Sequence, residues 1–286
     1  MERQRFWKMS FVYLAAFFFL FASLWGFYIS VKPPKIVSSI TPKDLGLPYE
    51  EVSFLTQDKV TLRGWLVRHP NATRVKTVIA LHGYPADKGN ILPVIAFLSK
   101  SYNLLLFDFR YLGASEGRYS TIGANETRDL ESAIDFLKGR GVREIGVWGF
   151  SMGGAVALMA APNRPEIKAV VSESSYAQLD LMAPLLFQFP LLRHPLAWLT
   201  GLWARLFLGI NLKKVSPMDS AKNLKIPVLI VHSKGDNLIP FDHAKLLQEA
   251  LKGNRKAEFW FHENFLHGQL AADYHKRIGD FFAANL

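Results

Sequence analysis

The pentapeptide Gly149-Phe150-Ser151-Met152-Gly153 constrains this chain more than any other feature of its sequence. An apolar run, Glu144–Trp148, precedes it, and Gly153-Gly154-Ala155-Val156-Ala157-Leu158 opens a helix of small residues directly behind it. A strand that turns into a helix across one serine holds that residue in a strained conformation and projects its hydroxyl. Small neighbours relieve the crowding. In an open parallel sheet, turns at the carboxyl ends of strands are where catalytic sites lie. The pattern occurs twice, against about 0.1 matches expected by chance, so context has to choose. Gly113-Ala114-Ser115-Glu116-Gly117 also follows an apolar run but leads into Arg118-Tyr119-Ser120, with no helix start at its turn. Ser151 is therefore the predicted nucleophile, and Ser115 is read as loop structure.

The rest of the chain suits a parallel sheet. Strands are predicted at Glu51–Thr56, Val60–Val67, Thr77–Leu81, Asn103–Asp108, Glu144–Trp148, Ala169–Ser172, Val228–His232 and Glu258–Phe261. The first two read as an antiparallel hairpin. The later ones are short, continuous apolar runs, as expected of strands buried on both faces. Helical patterns fall between them at 90–100, 122–139, 152–161, 241–252 and 269–284. Alternation of this kind predicts an α/β fold, a mostly parallel central sheet flanked by helices. With 286 residues and 50% hydrophobic content, the chain is ample for one sizeable core. It has no cysteine, which excludes disulfides, thiolate metal sites and a cysteine nucleophile.

A serine hydroxyl needs a base to take its proton, and the base needs an acid to fix its tautomer. With the serine first, both partners are expected in loops after later strands. His267, in Phe265-Leu266-His267-Gly268, follows the last predicted strand, and Asp236, in Ser233-Lys234-Gly235-Asp236, follows the strand before it. Glu173, at the end of the strand Ala169–Ser172, is a rival for the acid. His194, His232, His243, His262 and His275 lie in the insertion, on strands or on helices and fit less well. The developing oxyanion needs fixed N–H donors. The backbone of Met152 supplies one, and Tyr84, in the loop His82-Gly83-Tyr84, is the better placed residue for the other. His82 is read as ordering that loop.

The N-terminus carries 23 uncharged residues, Met9–Val31, between Lys8 and Lys32. As a helix this run crosses a hydrocarbon core of about 30 Å. Trp7, Trp25 and Tyr28 suit its two interfaces, and Pro33-Pro34 ends it. A cleaved signal peptide is the alternative, but the apolar run is too long and no small-x-small site follows it. The predicted organisation is an anchor at 1–32, a proline-rich linker at 33–50 and a catalytic domain at 51–286, with a small helical cap inserted at about 177–212. That insertion is expected to hold two apolar helical segments separated at Pro190 to Pro195, lying over the carboxyl edge of the sheet. The formal charge of +10 is concentrated: 1–35 and 176–225 carry +4 each. Beside apolar helices this excess points to a bilayer surface and not to nucleic acid. Arg3, Arg5 and Lys8 against Lys32 and Lys35 favour a cytoplasmic N-terminus and an extracytoplasmic domain.

Together, His82-Gly83, the loop Asp108–Gly117, Gly149–Gly153, Gly235-Asp236 and His267-Gly268 resemble the α/β-hydrolase superfamily, and within it the membrane-anchored hydrolase-domain proteins related to prolyl-oligopeptidase-type enzymes. The resemblance covers about residues 50–286, with one departure: Tyr111 stands where relatives commonly have glycine. It implies hydrolysis of an ester, thioester or amide through an acyl-enzyme, without metal or cofactor, and no zinc-ligand spacing, phosphate loop or calcium loop is found in the sequence. A lipid or medium-chain acyl ester is the favoured small-molecule substrate. A peptidase, and a silent hydrolase fold acting as a binding protein, are the alternatives.

Overall fold

The computed structural model describes residues 2–69 and 76–286. Its elements run α1 (Glu2–Val31), β1 (Tyr49–Leu55), β2 (Thr61–Val67), β3 (Thr77–Leu81), α2 (Lys88–Ile95), β4 (Asn103–Phe107), α3 (Glu126–Gly139), β5 (Ile145–Phe150), α4 (Met152–Ala160), β6 (Ile167–Glu173), α5 (Arg193–Leu208), α6 (Pro217–Ala221), β7 (Val228–Ser233), α7 (Asp242–Ala250), β8 (Ala257–His262) and α8 (Tyr274–Asn285). The eight strands are those read from the sequence, with boundaries that agree within two residues.

Among the described residues they form one sheet in the order β1-β2-β4-β3-β5-β6-β7-β8. β1 pairs antiparallel with β2, and β2 antiparallel with β4; every later pairing is parallel. The strand order reverses around β3, so β5, which carries the serine turn, lies beside the switch point where open sheets form crevices. Side chains alternate across the sheet. Ile79, Leu105, Val147 and Ile230 meet α3, α4 and α7 on one face. Val78, Leu104, Trp148 and Leu229 meet α2 and α8 on the other. Two apolar layers explain why these strands read as unbroken hydrophobic runs.

Four predicted helical segments differ in the structure. The run 90–100 is α-helical only to Ile95 and continues as a 3₁₀ turn over Ala96–Lys100. The run 122–139 becomes helical only at Glu126, because the preceding loop wraps around the Glu126 carboxylate, which accepts from Ser120 Oγ (2.8 Å), Thr121 N (2.7 Å) and Gly123 N (2.8 Å). The run 269–284 starts at Tyr274, after turns at Leu266–Gln269 and Ala271–Tyr274. In the insertion, the first expected helix is replaced by 3₁₀ turns at Leu179–Leu181 and Ala183–Leu186. Pro184 and Pro190 deny that segment a continuous amide ladder. Pro195 falls in the first turn of α5, where an amide has no intrahelical acceptor.

The chain divides into two compact units. The larger comprises Pro34–Ala177 and Ser216–Leu286, and so holds the whole sheet. The smaller joins the N-terminal segment, up to Pro33, with Gln178–Val215. Within it α1 contains one stretch, Phe6–Val31, long and apolar enough to cross a membrane, with a mean hydropathy of 2.0. Most of its large side chains are exposed, but Ser23, Phe27 and Ser30 are buried.

Candidate active site

Ser151 stands between the last residue of β5 and the first of α4 with φ +54° and ψ −117°, a conformation non-glycine residues seldom adopt. Its amide donates to Glu173 O at 2.8 Å, which fastens the turn to β6. The flanking glycines are obligatory. A Cβ on Gly149 would lie 2.3 Å from Gly153 O, and one on Gly153 would lie 2.4 Å from Leu81 O. The x positions of the pentapeptide are free of this constraint and take Phe150 and Met152.

Asp236 and His267 meet. Asp236 Oδ2 lies 2.8 Å from His267 Nδ1, and Asp236 Oδ1 accepts from the amides of Leu238 (2.9 Å) and Ile239 (2.8 Å). Burial alone would raise this carboxyl, but the bonds from His267 and the two amides outweigh it and hold its pKa below the ordinary value. The loops that carry the pair are laced together. Ser233 Oγ accepts from Gly235 N at 3.1 Å and from Phe265 N at 2.8 Å, and the His267 amide donates to Asn237 Oδ1 at 3.3 Å. A Cβ on Gly235 would lie 2.9 Å from the backbone of Asn264, so this glycine permits the close approach. On its other side the His267 ring faces Phe150, with 4.7 Å between centroids, which brings the histidine beside the serine turn.

The loop after β3 reaches the same turn: a Cβ on Gly83 would lie 3.2 Å from the Ser151 Cβ. Tyr84 follows it. Met152 is the first residue of α4, whose first intrahelical bond runs from Ala155 N to Ser151 O, so the Met152 amide has no acceptor within the helix. His82 is fully buried and saturated by backbone: its Nε2 accepts from Phe109 N at 3.0 Å, and its Nδ1 therefore donates to Gly83 O at 2.7 Å. Burial pushes its pKa down. It braces the loop in the neutral state and has no nitrogen left to act as a base.

The competing residues are engaged elsewhere. Ser115 Oγ donates to Asp108 O at 2.6 Å and accepts from Arg63 N at 2.9 Å. The Glu173 carboxyl is fully buried, accepts from Tyr274 Oη, and is pushed up to about 7 by burial. His243 Nδ1 accepts from Ala177 N at 3.0 Å, and burial pushes its pKa down to about 4. Tyr111 has φ +68°, the left-handed region that favours glycine, which accounts for the residue commonly found there in relatives. Among the described residues no group of three His, Asp or Glu is placed to hold a metal ion.

A model of the α/β hydrolase fold matches residues 76–211. The solved esterase Pf2001 of Pyrococcus furiosus superposes with a TM-score of 0.74 at 32% identity, over 90% of this chain and 98% of that one. The chain belongs to the α/β-hydrolase superfamily. Two curated relatives of this α/β-hydrolase are also similar along most of their length. The protein bem46 of Schizosaccharomyces pombe is 26% identical over 254 residues, 86% of this chain and 80% of its own. The Saccharomyces cerevisiae membrane protein YNL320W is 26% identical over 227 residues, 77% of this chain and 74% of its own.

Two residues that shape the site of this hydrolase carry no sequence signal. Phe150 occupies a variable position of its motif, and Ser233 is one hydroxyl among many in loops. Their roles, to seat the histidine ring and to bind the two loops, exist only once β5, β6, β7 and β8 are assembled in one sheet.

Proposed function

We propose that the protein is a serine hydrolase that cleaves carboxylic esters through Ser151, His267 and Asp236, with the backbone amides of Tyr84 and Met152 as oxyanion donors. The observation that carries this reading is the 2.8 Å bond between Asp236 Oδ2 and His267 Nδ1, with the His267 ring held against the residue that precedes Ser151. Asp236 fixes the tautomer that leaves Nε2 as the base. Nε2 takes the Ser151 proton as Oγ attacks the ester carbonyl, and the amides receive the oxyanion. Collapse expels the alcohol, which takes the proton from His267, and leaves an acyl-enzyme. Water activated by the same nitrogen then releases the acid. The likeness to the Pf2001 esterase favours esters over amides.

In this reading α1 anchors the enzyme in a membrane, with the N-terminus in the cytoplasm and the catalytic domain outside. The charges Arg3, Arg5 and Lys8 ahead of the span support that orientation, and the membrane protein YNL320W supports the anchor.

A fluorophosphonate probe applied to the detergent-solubilised protein tests the chemistry. We expect labelling at Ser151, read by peptide mass, abolished by Ser151→Ala and His267→Ala and slowed on the order of 10³- to 10⁴-fold by Asp236→Asn. Hydrolysis of p-nitrophenyl acyl esters of graded chain length then reports the substrate. Absence of labelling in folded wild-type protein overturns the proposal in favour of a binding protein, and turnover of peptides but not esters replaces it with a peptidase.

A further inference from the structure

The smaller unit contains a cavity that the chemistry above does not use. α5 packs one face on the last turns of α1. Trp203 Nε1 donates to Ser23 Oγ at 3.0 Å, and the Phe27 and Phe207 rings stack at 5.9 Å. A Cβ on Gly26 would lie 2.9 Å from the Phe187 ring, so the helix is closely fitted there. From Ser23 to the end of the span at Val31 is about 12 Å of helix. A chain anchored through α1 therefore holds α5 alongside the last ~12 Å of the span, just inside the boundary between hydrocarbon and headgroups that Arg and Lys side chains reach.

The opposite face of α5 presents His194, Trp198, Leu202 and Arg205 at helical spacing to a cavity of about 480 Å³, closed across the way by Asp180 and Lys213. Its character is cationic and amphipathic. The Asp180 carboxylate accepts from Gln178 Nε2 at 2.5 Å. Arg205 and Lys213 make no ion pair among the described residues. Trp198 and Leu206, on the rim of this face, are more than 60% exposed, an aromatic and aliphatic surface suited to the membrane interface. A cavity of this size admits a headgroup with the first carbons of its chains.

We propose that this cavity binds the headgroup of an anionic phospholipid from the membrane that α1 crosses, a proposal that rests on the membrane reading given above. Arg205 and Lys213 hold the phosphate, the guanidinium by paired N–H donors and the ammonium as a point charge. Trp198 and Leu202 cover the glycerol and the upper acyl carbons.

The test is a titration of full-length protein in a non-ionic detergent, in the Ser151→Ala background so that no ester is consumed. Dihexanoylphosphatidylglycerol, dihexanoylphosphatidylcholine and inorganic phosphate are the three ligands. The expected result is saturable binding of phosphatidylglycerol at least ten-fold tighter than of either other ligand. Arg205→Gln/Lys213→Gln weakens it ten-fold or more with the Tm unchanged. Equal affinity for phosphatidylcholine, an unaffected double variant, or equal affinity for inorganic phosphate overturns the assignment of a lipid headgroup. Alkaline carbonate extraction of native membranes reports the anchor separately: release of the chain overturns the membrane reading whatever the titration gives.

Discussion

The Phe150 ring lies against the His267 imidazole, 4.7 Å between centroids, and Phe150 immediately precedes Ser151. One residue thus touches two members of the proposed triad, the serine through its backbone and the histidine through its side chain. Gly268 completes the seat, since a Cβ there would lie 3.1 Å from the tip of the same ring. Removing the ring leaves His267 held on one side only, by Asp236. Phe150→Ala is expected to slow fluorophosphonate labelling of Ser151 on the order of 10- to 100-fold, the cost of a base displaced by about 1 Å. Phe150→Leu, which keeps an apolar side chain against the imidazole without lengthening its tip, is expected to lose less than Phe150→Ala. Equal labelling rates for wild type and Phe150→Ala would show that Asp236 alone positions the base.

The glycines of the chain are not equivalent. A methyl on Gly153 meets backbone, Leu81 O at 2.4 Å and His82 O at 2.8 Å, and backbone in the middle of a sheet has nowhere to go. Gly153→Ala is expected to cost about 3 kcal/mol or more, a fall in Tm of roughly 6–12 °C. Gly139, the last residue of α3, has open space around the added methyl and an ordinary φ. Gly139→Ala should stabilise by about 0.5–1 kcal/mol. Thermal unfolding of the two variants beside wild type decides the matter; similar shifts in both would refute it.

Stability is expected to fall as pH rises through the range set by Glu173. Burial holds this carboxyl at about 7, from a reference of 4.5. Between these values the unfolded chain has released a proton that the folded chain retains, so rising pH favours unfolding until the folded carboxyl ionises near pH 7. Glu173→Gln removes that slope and keeps an oxygen to accept from Tyr274. Relative to wild type the variant should gain about 2–3 kcal/mol between pH 5 and pH 8, from 1.36 kcal/mol per unit. Urea unfolding at the two pH values measures the difference. An identical offset at both would mean that Glu173 is ionised throughout.

Much of the architecture is legible in the sequence, for a local reason. A strand covered on both faces must be apolar at every position, and Val78-Ile79-Ala80-Leu81 or Leu104-Leu105-Leu106-Phe107 state this in their own residues. Ser151 was legible because strand, strained turn and helix start are contiguous, and because the glycines it requires are its neighbours in the chain. Helix starts were less so. The run 122–139 has the composition of a helix throughout, but its first residues serve the Glu126 carboxylate instead, a competition that composition does not report.

What the sequence by itself determined, then, is the set of strands and the strained turn that makes Ser151 the candidate nucleophile, because local burial and local strain are written in adjacent residues. Which segments meet was decided by the tertiary structure. Asp236 and His267 are 31 residues apart and come together because β7 and β8 pair in parallel and Ser233 ties their loops. Phe150 and His267 are brought together from still farther along the chain. Ser23 and Trp203 lie 180 residues apart, and the hydrogen bond that joins α1 to α5 has no trace in either segment alone. Such contacts depend on packing between surfaces that the chain brings together only on folding, so periodicity and composition, which describe each segment in isolation, leave them open.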